Sequence, residues 1–280
     1  MKLKSNARRN KIHPYIITGG ILFGAVLLVA IFASHLAPYD PLMMEGKDRL
    51  LKPSMDHFMG TDNFGRDIMS RVFYGARVSI EIGFIVTILS TFIGGFVGLV
   101  AGSIKWLDNI LMRILDGLLA FPGIIIAIIL SAISGAGKGN IILALSFAYF
   151  PTMARVLRAS VLVVKEQDYV ESAIAIGAKK PYILIKYILA NSLAPMLVQM
   201  TFIFALAILD EAALSFLGVG IEPPAPSLGG MITEARTFMS VAPWQIFFPG
   251  IAIVISVLGL NLIGDGLRDV LDPRLKQSRG

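Results

Sequence analysis

Six long apolar runs dominate this sequence and leave little choice of fold. A helix that crosses the roughly 30 Å hydrocarbon core of a bilayer needs about 20 consecutive apolar residues. Runs of that length lie at residues 14–36, 79–102, 114–134, 140–163, 192–218 and 246–264. Charged residues make up only 16% of the chain, whereas a soluble domain carries about a quarter. We therefore predict an all-α integral membrane protein with six transmembrane helices.

The first run must be distinguished from a cleavable signal peptide, because several basic residues precede it within residues 1–13. Its apolar core is longer than the roughly 7–15 residues of such a signal. We therefore expect residues 14–36 to be retained as the first transmembrane helix.

The distribution of basic residues predicts the orientation in the membrane. Most of the 25 lysines and arginines lie in segments that share one side, including the tails 1–13 and 265–280 and a loop at 165–191. Loops rich in lysine and arginine face the cytoplasm. This places both termini and that loop inside, a longer loop at 37–78 outside, and a membrane core at 79–264. The net charge of +6 follows from this topology and does not indicate nucleic-acid binding.

The loop at 165–191 is a short polar stretch in an apolar chain, and its pattern predicts a helical hairpin. Gly177 and Pro181 suit the end of one helix and the start of the next. In the first piece the residues that share one face are Tyr169, Val170, Ala173, Ile174 and Gly177, with Glu171 and Ser172 on the other. An amphipathic hairpin outside the lipid indicates a surface for a partner protein.

Two features inside the apolar runs predict helix geometry. Small residues recur every fourth position at Ser90, Gly94, Gly98 and Gly102, a spacing that lets another helix approach closely in lipid. Proline removes a backbone hydrogen bond, so Phe121-Pro122 is expected to bend the third helix.

Several segments together resemble the permeases of ABC importers. The segment from Glu171 to Gly177 resembles the EAA loop of that family, with Ser172 for the first alanine and Ala190 for the usual proline. The outer-loop signature is Gly60, Thr61, Asp62, Gly65, Arg66 and Asp67, which resembles the GTDxxGRD motif of the dipeptide, oligopeptide and nickel branch. Residues 116–122, 211–218 and 261–274 match the same branch in order.

The resemblance implies a type I ABC-importer permease fold with a cytoplasmic coupling helix, in a bacterial or archaeal cell membrane. This chain would be the second, C-type permease of a heterodimer. The coupling residues would be Tyr169, Glu171, Ser172, Ala173, Ile174 and Gly177. The implied partners are the other permease, two ATPases that bind ATP and Mg, and an extracytoplasmic substrate-binding protein. The implied cargo is a dipeptide or oligopeptide, with nickel or a metal–chelator complex as the alternative, and no cofactor is expected on this chain.

Two carboxylates, Asp210 and Glu211, lie inside the fifth apolar run. A charge at that depth is costly, so we expect each to face a water-filled cavity or a cation. Two alternatives remain open: a substrate path that receives an amino group, or structural pairing with Arg77 or Arg236. The outer-loop signature is rich in turn-forming residues, and we expect it to shape an outer ledge instead of touching substrate.

Other classes of function lack support in the sequence. There are no cysteines, and the histidines at 13, 35 and 57 do not have the spacing of metal ligands. No nucleophile, base and orienting residue form a catalytic set. An ATP-independent secondary transporter would show inverted repeats around a mid-membrane site, and we find no convincing repeat.

Overall fold

The computed structural model of the protein describes residues 14–271. The predicted tail 1–13 and the last part of the predicted tail 265–280 lie outside the described residues. The helices are α1 (Pro14–Ile31), α2 (Ala33–Leu36), α3 (Ile68–Ser103), α4 (Lys105–Leu119), α5 (Gly123–Ser134), α6 (Lys138–Lys165), α7 (Asp168–Ala175), α8 (Lys180–Ile183), α9 (Ala190–Phe216), α10 (Leu228–Ala235) and α11 (Trp244–Leu271). A π-helical segment, Leu184–Leu189, joins α8 to α9. Short 3₁₀ turns lie at Gly46–Asp48 and Arg236–Phe238.

The prediction of an all-α membrane protein is confirmed. Within the described residues, five helical stretches are long and apolar enough to cross a bilayer: α1, α3, α6, α11 and the stretch from Lys180 to Phe216. The third predicted span, 114–134, is different: it consists of α4 and α5, which are bent by 84° at the break between them. The break falls at residues 120–122 and includes Phe121-Pro122, as predicted from the missing backbone donor of proline.

Several helices extend beyond the predicted boundaries. Helix α3 begins at Ile68, eleven residues before the predicted span, so the outer loop is shorter than 37–78. Asp67 caps this helix, because its side chain accepts a hydrogen bond from the Ser70 backbone N–H at 2.7 Å. Helix α11 runs to Leu271, so the first residues of the predicted tail 265–280 are helical. A prediction from hydropathy ends a span at the first charged residues, whereas the helix itself can continue beyond the lipid.

Helices α3 and α6 pack closely along most of their length. A Cβ at Gly94 would lie 2.3 Å from the carbonyl oxygen of Phe150, and one at Gly98 would lie 2.4 Å from that of Ala154. The predicted close approach of a small-residue face is therefore confirmed. Helix α9 packs against α3, α6 and α11, and α1 packs on α11. The largest buried cluster joins α3, α6 and α9 through residues such as Ile82, Leu145 and Ile203.

Candidate functional site

The helical hairpin predicted at 165–191 is present and has a well-defined turn. The Gly177 N–H donates to the Ile174 carbonyl at 2.9 Å, and the Ala178 N–H donates to the Ala173 carbonyl at 3.0 Å. This pair of bonds is the Schellman arrangement that ends helices. It needs a left-handed residue, and Gly177 has φ +82°. Pro181 then lies in the first turn of α8.

The two faces of α7 divide differently from the prediction. Val170 and Ala173 are buried, with 1% and 4% exposure, and Val170 belongs to the main core. Tyr169 and Ile174 are exposed, and Ile176, just after the helix, is 87% exposed. The prediction that Ala173 shares a docking face with Tyr169 and Ile174 is therefore wrong, because Ala173 packs into its own chain.

Sequence reasoning missed Ile176, although a large apolar residue beside a turn glycine was a visible signal. Glu171, Ser172 and Gly177 are exposed, and a Cβ at Gly177 would meet no atom within 4 Å. These positions form an open surface together with the exposed apolar side chains. We name Tyr169, Ile174 and Ile176 the hairpin patch.

The hairpin is braced internally and joined in series to two spanning helices. The ring of Tyr187, on the second arm, lies 5.9 Å from the rings of both Tyr169 and Tyr182. Only residues 166 and 167 separate α6 from α7, and the second arm continues without a break from Lys180 to Phe216. A force on the hairpin therefore acts directly on α6 and α9.

Ion pairs fasten α4 to α6 near the hairpin. Asp108 accepts hydrogen bonds from Arg158 Nε at 2.6 Å and Nη2 at 2.7 Å, which makes the pair bidentate. Asp116 accepts one from Arg155 at 2.6 Å. Sequence reasoning did not find these pairs, because the partners lie 39 and 50 residues apart in the chain.

The outer-loop signature folds into a buried network that ties three helices together. Asp62 accepts hydrogen bonds from the backbone N–H groups of Phe64 and Arg66 at 2.8 and 3.0 Å, and from Arg66 Nε at 2.5 Å. The guanidinium groups of Arg66 and Arg71 both reach the Glu234 carboxylate of α10. We name residues 37–67, together with Glu234, the outer cap.

Other signature residues fix the path of the outer cap. The Thr61 carbonyl accepts from Trp244 Nε1 of α11 at 3.3 Å, and Asp67 Oδ1 lies 3.0 Å from His57 Nδ1. Gly65 has φ +77°, and a Cβ there would lie 1.8 Å from the Glu45 carbonyl oxygen, so only glycine fits. Gly60 also has a positive φ, of +76°. The signature side chains thus use their hydrogen-bonding groups within the chain, which favours the predicted ledge.

A cavity of about 320 Å³ opens beside the outer cap, with Tyr39, Glu45 and His57 among its lining residues. The hydrogen bond and charge of Lys47, whose Nζ lies 2.9 Å from Glu45 Oε2, lower the pKa of Glu45.

Within residues 14–271, no group of three or more histidine, aspartate or glutamate side chains is placed to hold a metal ion.

Asp210 and Glu211 are buried among α3, α6 and α9 and are paired with hydroxyl groups. Asp210 Oδ2 accepts a hydrogen bond from Tyr149 Oη at 2.5 Å. Glu211 accepts from Ser79 Oγ at 2.5 Å and from Ser215 Oγ at 3.0 Å. The predicted pairing with Arg77 or Arg236 is wrong, because hydroxyl donors on neighbouring helices already satisfy these carboxylates. A role in a substrate path remains a hypothesis.

Comparison with known proteins places this architecture in a family. Residues 68–277 match the model of the binding-protein-dependent transport system inner membrane component. A putative peptide transport system permease protein of Brucella abortus is 47% identical over 270 residues, covering 96% of this chain and 91% of the relative. The dipeptide transport system permease protein of Alkalihalophilus pseudofirmus is 42% identical, covering 96% and 88%.

A third relative is named for another cargo. The glutathione transport system permease protein of Pectobacterium atrosepticum is 42% identical over 262 residues, covering 93% of this chain and 87% of the relative. The family model begins with α3 and spans the hairpin and the helices up to α11, and each of these relatives covers at least 93% of this chain. The chain therefore belongs to the binding-protein-dependent transport system inner membrane components, the multi-pass permeases of type I ABC importers.

Proposed function

We propose that this chain is the membrane-spanning permease subunit of an ATP-driven importer of dipeptides or oligopeptides. Relatives named for peptide and dipeptide transport support this cargo, and glutathione, the cargo named for a third, is itself a small peptide. Nickel or a metal–chelator complex is the competing cargo from the sequence resemblance, and none of the three relatives above is named for it.

The observation that carries the proposal is the hairpin patch. Three large apolar side chains are exposed on a polar hairpin that connects two spanning helices in series. Burying such side chains against a partner stabilises a complex by about 1.5–3 kcal/mol for each one fully buried. In the proposed assembly the partner is a cytoplasmic ATPase, and Glu171, Ser172 and Gly177 lie beside the contact.

The proposed mechanism transmits ATPase motion through the hairpin. Closing and opening of two ATPases, which hold ATP and Mg, shifts α7 and with it α6 and α9. A bound partner changes the conformational equilibrium only if it contacts the two states differently. The Asp108–Arg158 pair carries the same motion to α4, and so to the bend before α5. This chain then alternates between outward- and inward-facing states without carrying out hydrolysis itself.

The remaining partners follow from the family and from topology. An extracytoplasmic binding protein delivers substrate at the face that bears the outer cap. A second, homologous permease completes the pathway as a heterodimer, because the five to six apolar helices within residues 14–271 supply half of such a channel. Both termini and the hairpin lie in the cytoplasm, as the positive-inside rule requires, and the membrane is the cell membrane of a bacterium or archaeon.

The hairpin patch is tested with Ile176→Ser in the full complex. We expect loss of ATPase co-purification and of ATP-driven uptake of labelled dipeptide in membrane vesicles. The matched control is Ile133→Ser at the C-terminal end of α5, where the isoleucine is 79% exposed. Equal ATPase binding by both variants at normal membrane levels contradicts the docking role.

Two further variants separate docking from transmission. Glu171→Lys and Gly177→Asp are expected to leave membrane insertion intact and to stop uptake. Gly177→Asn matches aspartate in size and in its tolerance of a left-handed position but adds no charge, so its comparison with Gly177→Asp isolates the charge. Competition of the uptake by unlabelled peptides or by nickel identifies the cargo, and competition by nickel alone refutes the peptide assignment.

A further inference from the structure

A groove of about 470 Å³ lies along α9 at the end of the helix bundle that carries the hairpin. Its walls include Val156 of α6, Val198 and Phe202 of α9, and Leu271 of α11. Helices α6 and α11 both pack against α9. Three helices therefore form the mainly apolar walls of this groove. The mechanism proposed above does not use it.

Two polar side chains, Gln199 and Arg268, complete the lining. A Cβ at Gly264, one turn before Arg268, would lie 2.4 Å from Thr201 Oγ1. Helices α11 and α9 therefore approach closely at this point, and Arg268 lies beside the turns of α9 that immediately follow the hairpin. The polar end of the groove is thus close to the membrane surface at that end of the bundle.

Neither polar side chain has a partner among residues 14–271. Arg268 forms no ion pair within 4.0 Å and no hydrogen bond there, and the Gln199 amide forms no side-chain hydrogen bond there. Asp265, on the same helix, does not pair with Arg268. Arg268 is exposed and Gln199 is half-buried, so both donors are accessible to a ligand at the mouth of the groove. The groove therefore offers a cation and an amide to an anionic group, next to a surface that suits a hydrocarbon chain.

We propose that this groove binds one anionic phospholipid of the cytoplasmic leaflet, with its phosphate on Arg268 and Gln199. The guanidinium fork matches two phosphate oxygens, and the acyl chain lies along Val198 and Phe202. Basic pockets between transmembrane helices on the cytoplasmic side bind anionic headgroups in this way. The assignment to the cytoplasmic leaflet rests on the orientation in the proposed function.

A peptide in transit fits the groove less well. It carries an ammonium group as well as a carboxylate, and among residues 14–271 no acidic side chain lines the groove. One cation, one amide and apolar walls match an amphiphile whose only charge is negative. The same comparison disfavours a free phosphate ion, which would leave the apolar walls without a partner.

The test measures lipid binding to the purified, delipidated transporter complex by native mass spectrometry. Phosphatidylglycerol is titrated against a background of phosphatidylcholine. We expect one preferentially bound phosphatidylglycerol on the wild type and about tenfold weaker binding for Arg268→Gln, because bonds to a charged group are lost. The matched control is Arg113→Gln, which removes an exposed arginine from α4 near the same membrane surface and should bind as the wild type does.

A second variant keeps the charge and blocks the space. Leu271→Trp fills the end of the groove and should also weaken phosphatidylglycerol binding about tenfold. If the wild type shows no preference for phosphatidylglycerol over phosphatidylcholine, or if both groove variants bind like the wild type, the proposal is wrong. Unchanged lipid binding together with a raised KM for peptide uptake in Arg268→Gln assigns the groove to the substrate path instead. Lipid binding is measured without ATP or transport, so its outcome is independent of the hairpin experiments.

Discussion

Gly98→Ala tests whether the contact between α3 and α6 is as tight as the structure indicates. A Cβ at Gly98 would lie 2.4 Å from the Ala154 carbonyl oxygen and 3.1 Å from the carbonyl carbon. These are backbone atoms of the next helix, so they cannot rotate away as the end of a side chain would. The two helices must separate by about 1 Å to restore ordinary contact.

The magnitude follows from two opposing effects. Overpacking of a well-packed contact costs about 1–3 kcal/mol. Replacing glycine by alanine in a helix stabilises it by about 0.8–1.0 kcal/mol. The matched control is Gly117→Ala in α4, where a Cβ would meet nothing within 4 Å. The control therefore keeps only the favourable effect, and the difference between the two variants isolates the cost of overpacking, about 1–3 kcal/mol.

The assay is thermal or denaturant unfolding of the purified protein in the same detergent micelles for both variants. We expect Gly117→Ala to unfold at or above the wild-type midpoint and Gly98→Ala below it. Because α6 leads directly into the hairpin, Gly98→Ala should also reduce ATP-driven uptake. Equal shifts of both midpoints in the same direction would show that α3 and α6 do not approach as closely as the structure has them.

Three further predictions concern polar contacts and the outer cap. Arg158→Gln should lower uptake and reduce the free energy of unfolding by about 1 kcal/mol, since the pair with Asp108 is partly exposed. The double exchange Asp108→Arg with Arg158→Asp should restore uptake measurably. Glu211→Leu should lower the free energy of unfolding by about 1–3 kcal/mol. Glu211→Gln, which still bonds both serine hydroxyls, should lower it less, and equal losses for the two variants would contradict the pairing with the serines. Gly65→Ala should expose the outer cap to added protease, because its positive φ and the Glu45 carbonyl leave no room for a side chain, and unchanged proteolysis rates would refute this reading.

Much of the architecture was predictable because it depends on local chemistry. Apolar runs of sufficient length must be helical in a bilayer, since unpaired backbone groups are too costly there. The bend at Phe121-Pro122 and the hairpin turn at Gly177 follow from the backbone preferences of proline and glycine. The packing face that includes Gly98 followed from residue size and a spacing of four.

The contacts that were missed join residues far apart in the sequence. Asp108 pairs with Arg158, and Glu234 receives both Arg66 and Arg71. Helical periodicity gave the amphipathic face of α7 but not which part of it packs inward, so Ala173 was assigned to docking and Ile176 was overlooked. The partners of Asp210 and Glu211 were expected to be arginines, whereas the helices that meet there supply hydroxyl groups.

The amino-acid sequence by itself determined that this chain enters the membrane, where its helices bend or turn, and which short segments mark its family, because each depends on a few neighbouring residues. Only the tertiary structure decided which polar groups pair, which apolar residues remain exposed on the hairpin, and where Arg268 meets the groove along α9. Those outcomes depend on how the helices rotate and align against one another. That alignment is set by the sum of many small packing contacts, and no single segment of the sequence contains it.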